Sequence, residues 1–442
     1  MNYRFSPYGL SAVSPAPVNQ MMDAFARDFR DGVDINLGVG YVNEKTIPVA
    51  WLLEAMREVS AHPAMYRQAF NYGGPHGSPN LIAALKRFYL RHNFGDITED
   101  ILNSKEIVVG ASGATSILEA LADIFQPGIV ITADPMYYIY CDYLERKGFR
   151  VVTVPEDEHG LSPEAVEARL DELGDDIKNL AFFYVVTVNN PSGVILANDR
   201  KRGLVEAASR WSARAGHPVP IFFDQAYEWL IHDPAAEKPQ SALLMDREGL
   251  AYEIGTLSKV LAPALRIGFV LGSPGPLMDA VAQKNSDVGF SAPLTNQEMA
   301  AYMLETHISE QLERVKGGYR EKAARIGVAL REILGPWLEE VRGGRGGFYF
   351  YLTLRGIRTD RSSPFFQFLA RKTGEPAIDG PPGHGLPRVV YIPGEFCVHA
   401  SGPMAEEGRC QLRLSYGYED TENIIGALHL MREAAVYAEQ RQ

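Results

Sequence analysis

Gly255-Thr-Leu-Ser-Lys259-Val-Leu-Ala-Pro-Ala-Leu-Arg266-Ile-Gly268 is followed directly by the apolar run Phe269-Val-Leu-Gly272. A lysine among such neighbours is a poor structural choice, because desolvation disfavours its charged form and lowers its pKa. A neutral amine of this kind can form a Schiff base with a carbonyl. Arg266, a second cation downstream, suits a permanent dianion such as a phosphate. Amine and guanidinium together point to a cofactor carrying both an aldehyde and a phosphate, which is pyridoxal phosphate.

Upstream of this stretch, short apolar runs alternate with helical patterns. Strands are expected at 106–109, 128–132, 150–154, 180–186, 218–223 and 252–256, and another through 265–271. The runs are mostly continuous, as in strands covered by helices on both faces. Helices are expected at 115–125 and 199–213. After about residue 275 the texture changes to helices at 274–287, 294–334 and 363–373, then Gly- and Pro-rich sequence, then a last helix at 420–440. This pattern predicts an α/β fold. It has a large cofactor-binding domain with a mainly parallel sheet of about seven strands between helices, and a smaller α+β domain from the N- and C-terminal parts. The expected divisions are an N-terminal segment at 1–60 that also contributes to the small domain, the large domain at 61–325, and the small domain at 326–442.

In such a sheet, ligand groups gather beyond the strand C-termini. Gly110-Ala-Ser-Gly-Ala-Thr115 opens a helix after the first strand, a place where bare backbone N–H groups favour phosphate. Asp134-Pro135-Met-Tyr137 follows the second strand and offers an aromatic ring to a planar ligand. Asn189-Asn190-Pro191-Ser192-Gly193 follows the fourth, and Asp224-Gln-Ala-Tyr227 the fifth. Taken singly, the first is a tight turn, Tyr137 is packing, the Asn-Pro-Ser-Gly run is a turn and Asp224 is a helix cap.

Composition narrows the class without naming the chemistry. The chain has 442 residues, 46% of them hydrophobic, and a formal net charge of −12, which argues against nucleic acid or an anionic membrane as partner. Cys141, Cys397 and Cys410 show no CxxC spacing, so neither a disulfide framework nor a zinc site is expected, and no metal is. No signal-like apolar core opens the sequence and no run approaches membrane-spanning length. A cytoplasmic location is expected.

The order Asn-Pro-Ser-Gly, Asp-x-Ala-Tyr, Ser-Lys-x-x-x-Pro-x-x-Arg-x-Gly is similar to that of the class I/II aminotransferases of the aspartate aminotransferase fold type. Asn36-Leu-Gly-Val-Gly40-Tyr41, Tyr72-Gly-Gly-Pro-His-Gly77, Gly346-Gly347-Phe348-Tyr-Phe, Pro393-Gly394-Glu-Phe396 and Leu412-Arg413-Leu-Ser-Tyr416 extend the resemblance over nearly the whole chain. It implies that Lys259 holds pyridoxal phosphate as a Schiff base and shuttles a proton. It implies that Asp224 pairs with the pyridine nitrogen, that Tyr227 and Asn190 bond the phenolic oxygen, and that Tyr137 stacks on the ring. The phosphate would be gripped by Arg266, Thr256, Ser258 and the backbone at Ala111 and Ser112, with Tyr72 reaching in from the second subunit of a homodimer. Arg413 would clamp the substrate α-carboxylate, with Gly40 and Asn190 beside it. The implied reaction is ping-pong transfer of an amino group from an L-amino acid to a 2-oxo acid, 2-oxoglutarate being the expected acceptor.

Departures from the family pattern bear on specificity. Residues 282–290 contain no arginine where aspartate-specific relatives bring one across the dimer interface, so a strict aspartate enzyme is not expected; Lys284 reads as a solvated helix residue. Tyr8, Tyr41, Phe290 and Phe348 are candidates for a large apolar or aromatic pocket. Residues 372–390 form a Gly/Pro-rich insertion, either an excursion or a lid. A carbon–sulfur β-lyase or an aminocyclopropane-carboxylate synthase-like enzyme on the same fold would share the cofactor residues. A regulator using such a domain as a sensor would need an added DNA-binding unit, for which a resemblance beginning by about residue 35 leaves no room.

Overall fold

The computed structural model describes residues 3–381 and 385–441. Its largest sheet has eight strands, one more than expected. In spatial order they are Glu106–Val109, Gly268–Gly272, Ala251–Thr256, Ile221–Asp224, Leu180–Val186, Ile129–Asp134, Arg150–Asp157 and Gly160–Leu161. The additional member is the two-residue return of a hairpin at the edge, antiparallel to Arg150–Asp157. The core of the sheet is parallel, whereas Gly268–Gly272 runs antiparallel to both of its neighbours. Inner strands such as Ile129–Asp134 and Ala251–Thr256 are buried along their whole length, which is why their sequences read as continuous apolar runs.

A second, four-stranded sheet is built from Leu338–Gly343, Tyr349–Leu354, Gln411–Ser415 and Ile392–Pro393. The N-terminal segment joins this part of the molecule through Ile35–Asn36, which pairs in parallel with Val389–Val390. The helix expected at 294–334 is two helices, Leu294–Thr306 and Ile308–Leu334. The break is at His307, whose ring stacks on Trp51 with centroids 4.7 Å apart and whose Nε2 lies 3.1 Å from Glu54 Oε1. A side chain committed to those partners fixes a local backbone that periodicity does not register. Ile308–Leu334 carries the chain from the large sheet toward the second one, so the expected boundary at residue 325 falls within a helix.

Among its described residues the 372–390 insertion does not line the cavity around Lys259. It clasps the N-terminal segment: Arg388 pairs with Asp28 and Asp34, each at 2.7 Å, and Arg30 donates to the Gly385 and Leu386 carbonyls. Residues 382–384 of the insertion lie outside the described residues. Among the described residues no helix is long and apolar enough to cross a membrane, and no cluster of metal-ligating side chains occurs.

Candidate active site

The strand ends converge on a cavity of about 260 Å³. Gly40, Tyr137, Asn190, Asp224, Tyr227, Thr256, Ser258, Lys259 and Arg266 line it. Lys259 follows strand Ala251–Thr256, and its ammonium donates to the Gly40 carbonyl at 3.0 Å. Burial first, then the positive charges of Arg413 and Arg266, push this lysine down to about 8, with Asp224 opposing them. The sequence argument for a readily neutralised amine thus has its physical cause in the fold.

Asp224 ends strand Ile221–Asp224 and is buried. The Tyr184 hydroxyl donates to its Oδ2 at 2.7 Å and the Ala226 N–H to its Oδ1 at 2.9 Å. Burial nevertheless raises its pKa above the ordinary carboxylate range. A carboxylate so placed gains from a cation delivered into the cavity.

Arg266 has a left-handed backbone, φ +53°, between Pro263–Leu265 and strand Gly268–Gly272. Its side chain lies across the N-terminus of helix Gly113–Ile124, donating to the Ser112 carbonyl at 2.9 Å. Gly113, at φ +68°, has no room for a Cβ, which would stand 2.9 Å from the guanidinium. Ala111 and Ser112 are less available than expected: their N–H groups already donate to Asn285 Oδ1 at 3.1 Å and Ser116 Oγ at 2.8 Å. Ala114 and Thr115, one turn in, line the cavity instead. Thr256 Oγ1 and Ser258 Oγ lie 3.0 Å apart on its wall.

Arg413 lies on strand Gln411–Ser415 of the second sheet and is 2% exposed. Nη1 donates to Asn190 Oδ1 at 2.8 Å and Nη2 to the Gly38 carbonyl, while Nε is buried with no partner. Tyr349 lies beneath it, ring centroid 4.6 Å from the guanidinium carbon. Tyr72 does not line this cavity; it is 79% exposed, and its ring lies against Phe290, itself 56% exposed, with centroids 5.2 Å apart.

Several groups in the site were not legible as such in the sequence. Tyr184 and Tyr349 read as ordinary strand residues, and Asn285 as one of many helix positions. Asn285 ties Ala111 to the Pro75 and Val109 carbonyls from within helix Pro276–Gly289. Of the aromatic candidates, Tyr41 lines the cavity and Phe348 is buried against Tyr227, with ring centroids 5.2 Å apart. Tyr8 lines an adjoining cavity of about 340 Å³ that shares Thr115, Leu118 and Tyr137 with the first.

These groups fit pyridoxal phosphate. A readily neutralised amine suits its aldehyde and a buried carboxylate suits a protonated ring nitrogen. A guanidinium beside a helix N-terminus suits its phosphate, and Tyr137 offers a ring face.

Comparison with known proteins agrees. The chain is 28% identical over 408 residues, 90% of its length and 87% of the other, to the aromatic-amino-acid aminotransferase 1 of Thermococcus litoralis. It is 29% identical over 257 residues to the uncharacterized HTH-type transcriptional regulator YjiR of Escherichia coli, covering 58% of this chain and about half (52%) of that one. The multiple substrate aminotransferase of Thermococcus profundus superposes with a TM-score of 0.83 over 99% of this chain and 98% of that one, at 23% identity, and so shares the fold. Residues 33–372 match the family described as aminotransferase class I and II, and the chain belongs to that pyridoxal-phosphate-dependent family.

Proposed function

We propose that this pyridoxal-phosphate-dependent aminotransferase takes the amino group of an L-amino acid with a large, mainly apolar or aromatic side chain and delivers it to 2-oxoglutarate. The observation that carries the reading is the joint placement of Lys259, Asp224 and Arg266 around one cavity, with Arg413 hydrogen-bonded to Asn190 on its wall. When bound, the cofactor supplies an aldehyde to take up the amino group and a ring to accept the electron pair left on Cα.

The chain's own residues do the rest. Lys259, readily neutralised because burial lowers its pKa to about 8, would take the proton from Cα and return it to the cofactor side. Asp224 keeps the ring nitrogen protonated. Tyr227 and Asn190 bond the ring oxygen, and Tyr137 covers one face. Arg266, Thr256, Ser258 and the N-terminus of helix Gly113–Ile124, where Ala114 and Thr115 line the cavity, would hold the phosphate, with Ala111 and Ser112 shaping the turn before it. Arg413 receives the substrate carboxylate at its buried edge, with Gly40 and Asn190 alongside.

Donor size is supported by the adjoining cavity, lined by Tyr8, Leu118, Tyr137, Ile139, Tyr140 and Tyr143. The T. litoralis relative, an aromatic-amino-acid enzyme by name, agrees with it. The reading includes a cytoplasmic homodimer whose Tyr72 reaches the second subunit's phosphate; the exposed Tyr72–Phe290 pair supports it. It also includes the division at residues 60 and 325, supported by the pairing of Ile35 with Val389 and by the C-terminal origin of the second sheet.

The test is a titration of the cofactor-loaded protein with single amino acids, followed by absorbance, without any oxo acid. One stoichiometric conversion of the cofactor to its amine form, reversed by 2-oxoglutarate, is expected for aromatic donors first. Continuous release of ammonia with the spectrum unchanged would overturn transamination in favour of lyase chemistry.

A further inference from the structure

The Tyr227 hydroxyl lies 2.8 Å from the Tyr349 hydroxyl, both groups buried, with ring centroids 5.4 Å apart and planes at 71°. Among the described residues this is the only hydrogen bond the Tyr227 hydroxyl makes. A phenol has one proton to donate and lone pairs to accept. If the Tyr227 proton goes to the cofactor's ring oxygen, the proton between the two tyrosines comes from Tyr349.

Further contacts hold Tyr349 in place. The Arg413 guanidinium lies 4.6 Å from the Tyr349 ring centroid and favours negative charge on its oxygen, opposing the burial that raises both phenols. Its hydroxyl occupies the space beside Gly40, where a Cβ would stand only 2.7 Å from it and force it to move, so glycine at residue 40 leaves it room. The Gly40 carbonyl in turn receives the Lys259 ammonium. Tyr349 also opens strand Tyr349–Leu354, where backbone pairing with Ser415 fixes its position in the second sheet.

We propose that Tyr349 is a positioning residue of the reaction: its hydroxyl donates to Tyr227 and thereby commits the Tyr227 proton to the cofactor's ring oxygen. The inference rests on Tyr227 bonding that oxygen. Chained hydrogen bonds polarise one another, so the Tyr349 donor strengthens a bond it does not touch. A stronger bond to the ring oxygen favours negative charge there and lowers the pH at which the lysine-bound cofactor loses its proton.

The experiment is a pH titration of the resting holoenzyme's visible absorbance in wild type, Tyr349→Phe, Tyr227→Phe and the double variant. Tyr349→Phe is expected to move the midpoint up by about half a unit, and to produce no movement when Tyr227 is already Phe. The KM for the donor amino acid stays within about twofold, because the Phe ring still lies beneath Arg413. A midpoint that does not move in the first pair, or moves equally in both, overturns the proposal. Replacing Tyr349 with 3,5-difluorotyrosine provides a second arm that keeps the hydroxyl: a more acidic donor moves the midpoint down, and a midpoint that stays put overturns the proposal. Absence of any visible band in wild type would instead remove the Lys259 reading on which the inference stands.

Discussion

Arg413 and Asn190 bind one another across the junction of the two sheets, Nη1 to Oδ1 at 2.8 Å, both side chains buried. Asn190 comes from the loop after strand Leu180–Val186 and Arg413 from the middle of strand Gln411–Ser415. A guanidinium that ties the sheets together and, as proposed, receives a carboxylate would depend on its planar fork, which lysine lacks. Arg413→Lys should lower kcat/KM for the amino acid by about 10- to 100-fold, the size of one charge-assisted hydrogen bond, while cofactor content in the purified protein stays unchanged. Unaltered kcat/KM for both donor and acceptor would remove Arg413 from the substrate site.

Lys259→Ala should abolish turnover with the fold intact, since among the described residues no other lysine lines the cavity. The same residue carries a stability signature in the apoprotein. Its folded pKa, about 8, lies below the ordinary 10.5, so the unfolded chain binds the extra proton between those values and stability rises with pH across that window. The burden is complete below about pH 8. Lys259→Met should therefore raise the apoprotein's Tm at pH 7, and the gain should fade as the pH approaches 10.5. Melting curves at the two pH values decide it; an equal gain at both would contradict the burial argument.

Glu156 is a buried carboxyl on strand Arg150–Asp157 that accepts from Asn189 Nδ2 at 2.9 Å, with its second oxygen unpartnered. Burial raises it from 4.5 to about 8. The folded protein holds this proton through that interval and the unfolded chain does not, so the group's contribution falls as pH rises from 4.5 and is most unfavourable above 8. Glu156→Gln should raise Tm by a few degrees at pH 8.5 and change it little at pH 4.5. Scanning calorimetry at both values would detect the reverse order if the carboxylate were ionised in the fold.

Tyr72→Phe should weaken cofactor retention about tenfold, measured as the dissociation constant after dialysis, although Lys259 is untouched. Retention equal to wild type would argue that Tyr72 stays on its own subunit's surface.

The reach of the sequence is uneven for physical reasons. Apolar strands buried on both faces announce themselves, and the ordered motifs at their ends carry the family resemblance that points to Lys259, Asp224, Asn190 and Arg266, which the fold brings to one cavity. Short elements held by single contacts do not: the Gly160–Leu161 return and the break at His307 depend on a turn and on Trp51. Site groups that act through other groups were equally hidden. Tyr349 alternates like any strand residue, and its meaning comes only from Tyr227, far away in the chain. The availability of N–H groups at Ala111 and Ser112 depends on Asn285 and Ser116, which no local motif encodes.

Strand Glu106–Val109, the first of the large sheet to leave the ribosome, pairs in the finished protein with Gly268–Gly272, the last of that sheet's strands to be made. Helix Gly113–Ile124 therefore waits through the synthesis of every intervening strand before Arg266 arrives at its N-terminus. If Arg266 holds the phosphate as proposed, that site is complete only after the late strand docks, and Arg413 emerges later still. On the proposed reading, a chain cut short before residue 266 lacks the Arg266 grip on the phosphate, so cofactor retention would report chains that extend past this late strand.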